Sequence, residues 1–165
     1  MISTGLVSVS FRQLSPKEIV DLVAEAGLDG IEWGGDVHVP HGDVKKAREV
    51  YNMTKDSGLS IPSYGFYYRT AWDDPSNPSF DAVLETAVEL KTPCIRVWAG
   101  NIGSAKADEA WWEKVVEDSR RIATMAEKVD IVVAFEYHAN TLTDTNDSAL
   151  ELIKRIDHSN IKSYW

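Results

Sequence analysis

The sequence is short of several things. It holds one cysteine, Cys94, in 165 residues, so no disulfide can close within the chain. Cys94 leads into the apolar run "IRVW", where a small thiol reads as a packing residue and not as a nucleophile. Basic charge is scarce: 17 lysines and arginines stand against 26 aspartates and glutamates, for a net charge of −9. That sign argues against non-specific binding to nucleic acid. It leaves a divalent-cation site open, because carboxylates are ligands for hard cations. No apolar run approaches the roughly 20 residues of a membrane-spanning helix, so no membrane partner is expected. The opening "MISTGLVSVSFRQ" has no basic n-region, no long apolar segment and no small-residue cleavage site. It reads as a first strand, and the expected compartment is the cytoplasm. Nucleotide fingerprints are missing too. "GNIGSAKAD" lacks both the G-x-G-x-x-G spacing and the Lys-Ser/Thr of a phosphate loop, and there is no H-E-x-x-H or G-x-S-x-G.

What is present is alternation. Apolar runs at 5–11, 30–35, 60–68, 94–100, 131–138 and 161–165 predict strands. Helical patterns lie between them: 15–27, then near 43–57, 79–91, 108–128 and 146–157. In the first helix Ser15 is the predicted N-cap, Pro16 sits at the first helical position and Glu18 completes a capping box. Ile19, Leu22, Val23 and Ala26 mark its apolar face, and Gly27 ends it. The longest loop, 69–79, carries Trp72 and is a candidate lid.

Strict strand–helix alternation means parallel strands joined by crossover helices. A doubly wound open sheet suits the length, since a (β/α)8 barrel needs about 250 residues. The last residues argue the other way. The chain reaches an apolar strand with no covering helix, although parallel sheets are buried on both faces. The expected fold is therefore α/β: a (β/α)8 TIM barrel, incomplete as given at about five and a half β/α units, with residues 1–165 forming one partial domain. Uncovered strand edges would invite a homo-oligomer or a complementing fragment.

Unusual residues gather at the carboxyl ends of these strands, which form the binding edge in both architectures. Strand two ends in Glu32 and Trp33, with Asp36 and His38 beyond. Strand three carries Tyr64, Phe66 and Tyr68, strand four Arg96 and Trp98, strand five Glu136 and His138. Residues two apart in a strand share a face, so Glu136 and His138 are predicted to point the same way, as are Arg96 and Trp98. Any one of these residues alone has an ordinary structural explanation. Arg96 could simply form an ion pair with Glu32 or Glu136, and the aromatics could be core. What raises the set is that four strands place such groups at one end.

Three stretches then resemble a known family: "GLVSVSFRQLSPKEIVDLVAEAGLDGIEWGGDVHVPHGD", "CIRVWAG" and "VVAFEYHANTLTDT". They are similar to the xylose isomerase-like TIM barrels, often called sugar phosphate isomerases/epimerases. The resemblance implies a divalent metal ion (Mn, Mg, Co or Zn) held by Glu, Asp, His and Glu from the last four strands. Glu136 matches the first ligand and the implied catalytic carboxylate. The second would lie at or just beyond Trp165. His38 and His138 match positions that line the substrate pocket, and Glu32, Tyr64, Arg96 and Trp98 complete the expected substrate-binding set.

The activity implied for the whole protein is isomerisation or epimerisation of a small sugar, sugar acid or polyol derivative through an enediolate. A small carbohydrate would be its binding partner. A dehydratase and an apurinic-endonuclease-like hydrolase remain alternatives. So does a catalytically silent fragment, because most ligands are missing. Trp98 stands where the endonuclease branch has a histidine, which weighs against that branch.

Overall fold

The structure, a computed structural model, describes residues 2–164, apart from the side chain of Phe66. Its elements alternate as the sequence predicts: β1 (Gly5–Val7), a 3-10 turn (Ser8–Phe11), α1 (Pro16–Glu25), β2 (Gly30–Gly34), α2 (Val44–Asp56), β3 (Tyr64–Arg69), α3 (Phe80–Glu89), β4 (Cys94–Trp98), α4 (Glu109–Glu127), β5 (Val132–Glu136), α5 (Asn146–Ile156) and β6 (Ile161–Tyr164). Hydrogen-bonded strands follow one another in chain order from β1 to β6. The described registers of β1 with β2, β2 with β3 and β5 with β6 are all parallel. A doubly wound sheet reverses its strand order at a switch point. An order that never reverses belongs to a barrel wall, which sets the open-sheet alternative aside.

The chain divides into two compact units, Met1–Phe66 with Asp81–Ile95, and Tyr67–Phe80 with Arg96–Trp165. In the first, Ile19, Val20 and Val23 of α1, Ile31 and Trp33 of β2, and Ala47 and Val50 of α2 are buried. Trp33 is enclosed without losing its polar bond: the indole N–H donates to Thr54 Oγ at 3.2 Å. In the second unit, Val133 and Phe135 of β5, Ile122 and Ala126 of α4, and Leu152 and Ile156 of α5 make the core. Arg120 of α4 donates to the carbonyls of Ile156 and Arg155, which would otherwise be orphaned at the end of α5.

Two strands differ from the sequence-based bounds by four residues at one end, each for a local reason. β1 stops at Val7, not Phe11, because the Ser8 hydroxyl accepts the Gly34 N–H at 2.8 Å and the chain turns there into 3-10 geometry. β3 starts at Tyr64. Before it, only Ser60 makes an isolated bridge to Gly30, and Pro62 has no N–H to extend a ladder. β3 also runs one residue further than expected, to Arg69.

The predicted cap of α1 is present in full. Ser15 Oγ accepts the Glu18 N–H, and the Glu18 carboxylate accepts the Ser15 N–H at 2.7 Å. The Ser15 hydroxyl, which also donates to that carboxylate at 2.7 Å, and then the Ser15 N–H hold the Glu18 carboxyl below its ordinary value. Ser15→Ala is expected to cost about 1 kcal/mol at neutral pH, read by chemical denaturation of the whole protein. A lowered folded-state value means the stabilisation is present above the carboxyl's unfolded value and fades as the pH falls through the folded one. The gap between wild type and variant should therefore shrink in acid.

Candidate active site

The site builds from strand alternation in the second unit. Arg96 and Trp98 share one face of β4, and Glu136 ends β5. The Arg96 guanidinium forms an ion pair with Glu136 through Oε2. The Trp98 indole N–H donates to the same oxygen at 2.5 Å. Both donors use Oε2, and Oε1 has no hydrogen-bond partner among the described residues. The Arg96 side chain is 8% exposed and that of Glu136 is 30% exposed, so the pair sits at the boundary between core and solvent.

Trp98 is the hub of the cluster. His138 stacks on its ring at 4.2 Å with planes 29° apart. Tyr67 meets it edge-on at 4.9 Å, and the Arg69 guanidinium carbon lies 4.2 Å over it. His138 Nδ1 is 2.8 Å from the Ala139 carbonyl oxygen. A carbonyl only accepts, so Nδ1 carries the hydrogen, and the lone pair of the neutral ring is on Nε2.

The loop after β5 is held from beneath by two threonines. Thr143 donates to the Glu136 carbonyl at 2.6 Å, and Thr141 to the His138 carbonyl at 2.7 Å. Both are buried. Asn140 supplies the left-handed residue of the turn, with φ of 60°. "EYHANTLT" is thus one device: two functional side chains and the hydroxyls that anchor their backbone.

Glu32, His38 and Tyr64 belong to the first unit, and each is engaged within it. The Glu32 carboxylate accepts the Ser63 hydroxyl at 2.5 Å. His38 is buried, with Nδ1 3.0 Å from Ser8 Oγ and Nε2 3.2 Å from the Leu14 carbonyl oxygen. Tyr64 is fully buried, and its hydroxyl donates to the Val39 carbonyl at 2.7 Å. Both ring nitrogens of His38 and the hydroxyl of Tyr64 thus have partners within this unit. The face of β3 is corrected. Tyr68 bonds Asp118 of α4 at 2.8 Å, so it is Tyr67 and Arg69, one register away, that touch Trp98. The "YYR" alternation carried that signal, but adjacent aromatics left the parity open. The side chain of Phe66, also expected here, lies outside the described residues.

No group of three or more His, Cys, Asp and Glu side chains among the described residues could hold a metal ion. Glu136 Oε1 suits a single ligand to a divalent cation. It does not make a coordination shell alone, and the ligand expected at or just beyond Trp165 falls outside the described residues.

Comparison with known proteins agrees with the strand order. The sequence pattern of the xylose isomerase-like TIM barrel matches residues 20–165, and the chain belongs to that family. It is similar to a 3-dehydroshikimate dehydratase of Bacillus anthracis, 32% identical over 96% of this chain and 59% of that protein. The crystal structure of the probable 3-DHS dehydratase AsbF of Bacillus anthracis superposes with a TM-score of 0.82 at 28% identity, covering 98% of this chain and 62% of that one. A D-psicose 3-epimerase shares the fold at a TM-score of 0.77 and 18% identity, over 98% of this chain and 62% of that one. So does a Mycobacterium smegmatis protein crystallised with magnesium, at 0.75 and 16%, over 98% and 63%. The chain thus spans about three fifths of the length of the relatives it matches. No helix among the described residues is long and apolar enough to cross a membrane.

Two tyrosines provide a spectroscopic check. Burial raises the Tyr64 and Tyr68 hydroxyls well above their ordinary value of 10, with Asp36 and Asp118 respectively adding to the shift. The folded state then favours the protonated phenol. That preference is complete below the unfolded value and is lost as the pH climbs past it. In an alkaline absorbance titration these two rings should ionise only as the fold opens. The single variants Tyr64→Phe and Tyr68→Phe should each remove one late-titrating group.

Proposed function

We propose that the whole protein of which these residues form one partial barrel domain is a dehydratase acting on a small cyclic hydroxy-keto acid of the 3-dehydroshikimate type. The observation that carries this reading is the Glu136–Arg96–Trp98–His138 cluster at the strand ends, in a chain 32% identical to a 3-dehydroshikimate dehydratase.

The chemistry starts with removal of a proton from a ring carbon beside the ketone. The C–H electron pair moves onto the carbonyl oxygen as an enolate. When the enolate collapses, the hydroxyl on the next carbon leaves, takes a proton and departs as water. His138 Nε2, the nitrogen with the lone pair, accepts the carbon-bound proton and returns it to the leaving hydroxyl. Glu136 is the catalytic carboxylate, oriented by Arg96 and Trp98 so that Oε1 faces the chemistry and not its neighbours. A divalent metal ion, when bound, would polarise the substrate carbonyl, and from this chain Glu136 Oε1 would be its ligand. The ring stack of Trp98 and His138 gives a flat substrate an apolar wall.

Isomerisation or epimerisation of a sugar would share the first half of this sequence, the proton being returned to carbon instead of a hydroxyl being lost. The 32% identity to a dehydratase favours elimination. Assay of the whole protein with 3-dehydroshikimate should show the rise in ultraviolet absorbance that accompanies an aromatic dihydroxybenzoate. A protein that turns over ketoses and leaves 3-dehydroshikimate untouched would contradict the reading.

Glu136→Gln should keep the acceptor that Arg96 and Trp98 bind while losing the counter-charge, so the variant should fold with reduced stability. It should lower turnover by about 10²–10³-fold, because a neutral amide is a poor ligand for the divalent ion that would polarise the carbonyl. Circular dichroism and steady-state kinetics together read this out. Full turnover by the folded variant would remove Glu136 from the catalytic role.

A further inference from the structure

Among the described residues, the arginine that ends β3 has no carboxylate partner. The Arg69 guanidinium carbon lies 4.2 Å over the Trp98 ring and 5.3 Å from that of Trp72. No carboxylate or carbonyl among the described residues accepts a hydrogen bond from it. The other arginines do have such partners. Arg12, Arg48, Arg96, Arg121 and Arg155 pair with carboxylates, and Arg120 caps α5. Arg69 is also partly desolvated, and burial lowers its pKa from the ordinary value. A half-buried guanidinium with no protein acceptor keeps donors that a bound anion can take.

Its position is built, not incidental. Asn77 accepts the Arg69 N–H at 3.0 Å, and its amide donates to the Arg69 and Trp72 carbonyls, each at 2.9 Å. From α4, Asp118 accepts the Ala71 N–H at 2.9 Å and holds that residue at a φ of 60°. The loop is therefore stapled at both sides of Trp72, and the staple presents Arg69 to Trp98. The same Trp98 ring that carries Arg69 donates its N–H to Glu136. A single indole thus contacts both this cation and the catalytic carboxylate.

We propose that Arg69 is the specificity residue that binds a substrate carboxylate, with Arg96 held back by Glu136. The proposal rests on the reading of the site above and names the residue that recognises the acid group of that substrate. A planar two-pronged donor matches a carboxylate, and with Arg96 already paired with Glu136 the cluster holds no second unpaired cation among the described residues for the higher charge of a phosphate.

The test uses the whole protein and two independent arms. In the binding arm, calorimetry compares dihydroxybenzoate with its methyl ester and with inorganic phosphate. Wild type should hold the acid about 10- to 100-fold more tightly than the ester. Arg69→Met should bring acid and ester to equal affinity, and Arg69→Lys should restore part of the preference. In the kinetic arm, Arg69→Met should raise KM for 3-dehydroshikimate by a similar factor and leave kcat within a few-fold, a split that a merely structural loss would not give. Equal binding of acid and ester by wild type, no binding of either, a preference that survives in Arg69→Met, or tighter binding of phosphate than of the acid would each overturn the proposal. If wild type binds the acid through Arg69 but does not dehydrate 3-dehydroshikimate, the reaction assignment fails and the carboxylate site stands.

Discussion

A nearly buried guanidinium cannot stand without a counter-charge, and that constraint organises the second unit. Arg96 points from β4 into a region where its side chain is only 8% exposed. Glu136 supplies the charge from the next strand. Leaving one partner of a fully buried pair alone costs about 3–5 kcal/mol, and the 30% exposure of Glu136 softens that figure here. The pair therefore does two things. It satisfies Arg96, and it turns one carboxylate oxygen inward so that the other is left for chemistry. Trp98 reinforces the same choice by donating to the same oxygen.

The cluster depends on residues that never face the site. Thr141 and Thr143 anchor the backbone beneath Glu136 and His138. Asp118 gathers Tyr68, Ala71 and Arg121, which ties the loop after β3 to α4. Gly100 makes room: a Cβ there would come within 2.9 Å of the Trp111 ring, and its φ of 73° is one that side chains rarely adopt. Chemistry at the strand ends is thus set by backbone anchors in the loops and on the helix behind them.

Much of this was legible in the sequence. Capping residues, breakers and apolar periodicity located every helix and strand to within a few residues. The sequence also showed a carboxylate and an imidazole two residues apart at the end of β5, and in the structure both lie against Trp98. Two kinds of information were not legible. Strand parity in "YGFYYR" is ambiguous because polar and aromatic groups occupy both faces, so Tyr64 and Tyr68 drew attention that belonged to Tyr67 and Arg69. Hydrogen-bond partners were the second. His38 looked like a pocket residue because it follows a strand end, and only the positions of Ser8 and Leu14 reveal that both ring nitrogens are engaged.

The central claim is that Glu136 offers Oε1 to the reaction while Oε2 belongs to Arg96 and Trp98. Anomalous diffraction from crystals of the whole protein loaded with manganese addresses it most directly. The account predicts a single strong peak in direct bonding contact with Glu136 Oε1, with Arg96 and Trp98 still on Oε2. A metal bound elsewhere, with both Glu136 oxygens remote from it, would contradict the account.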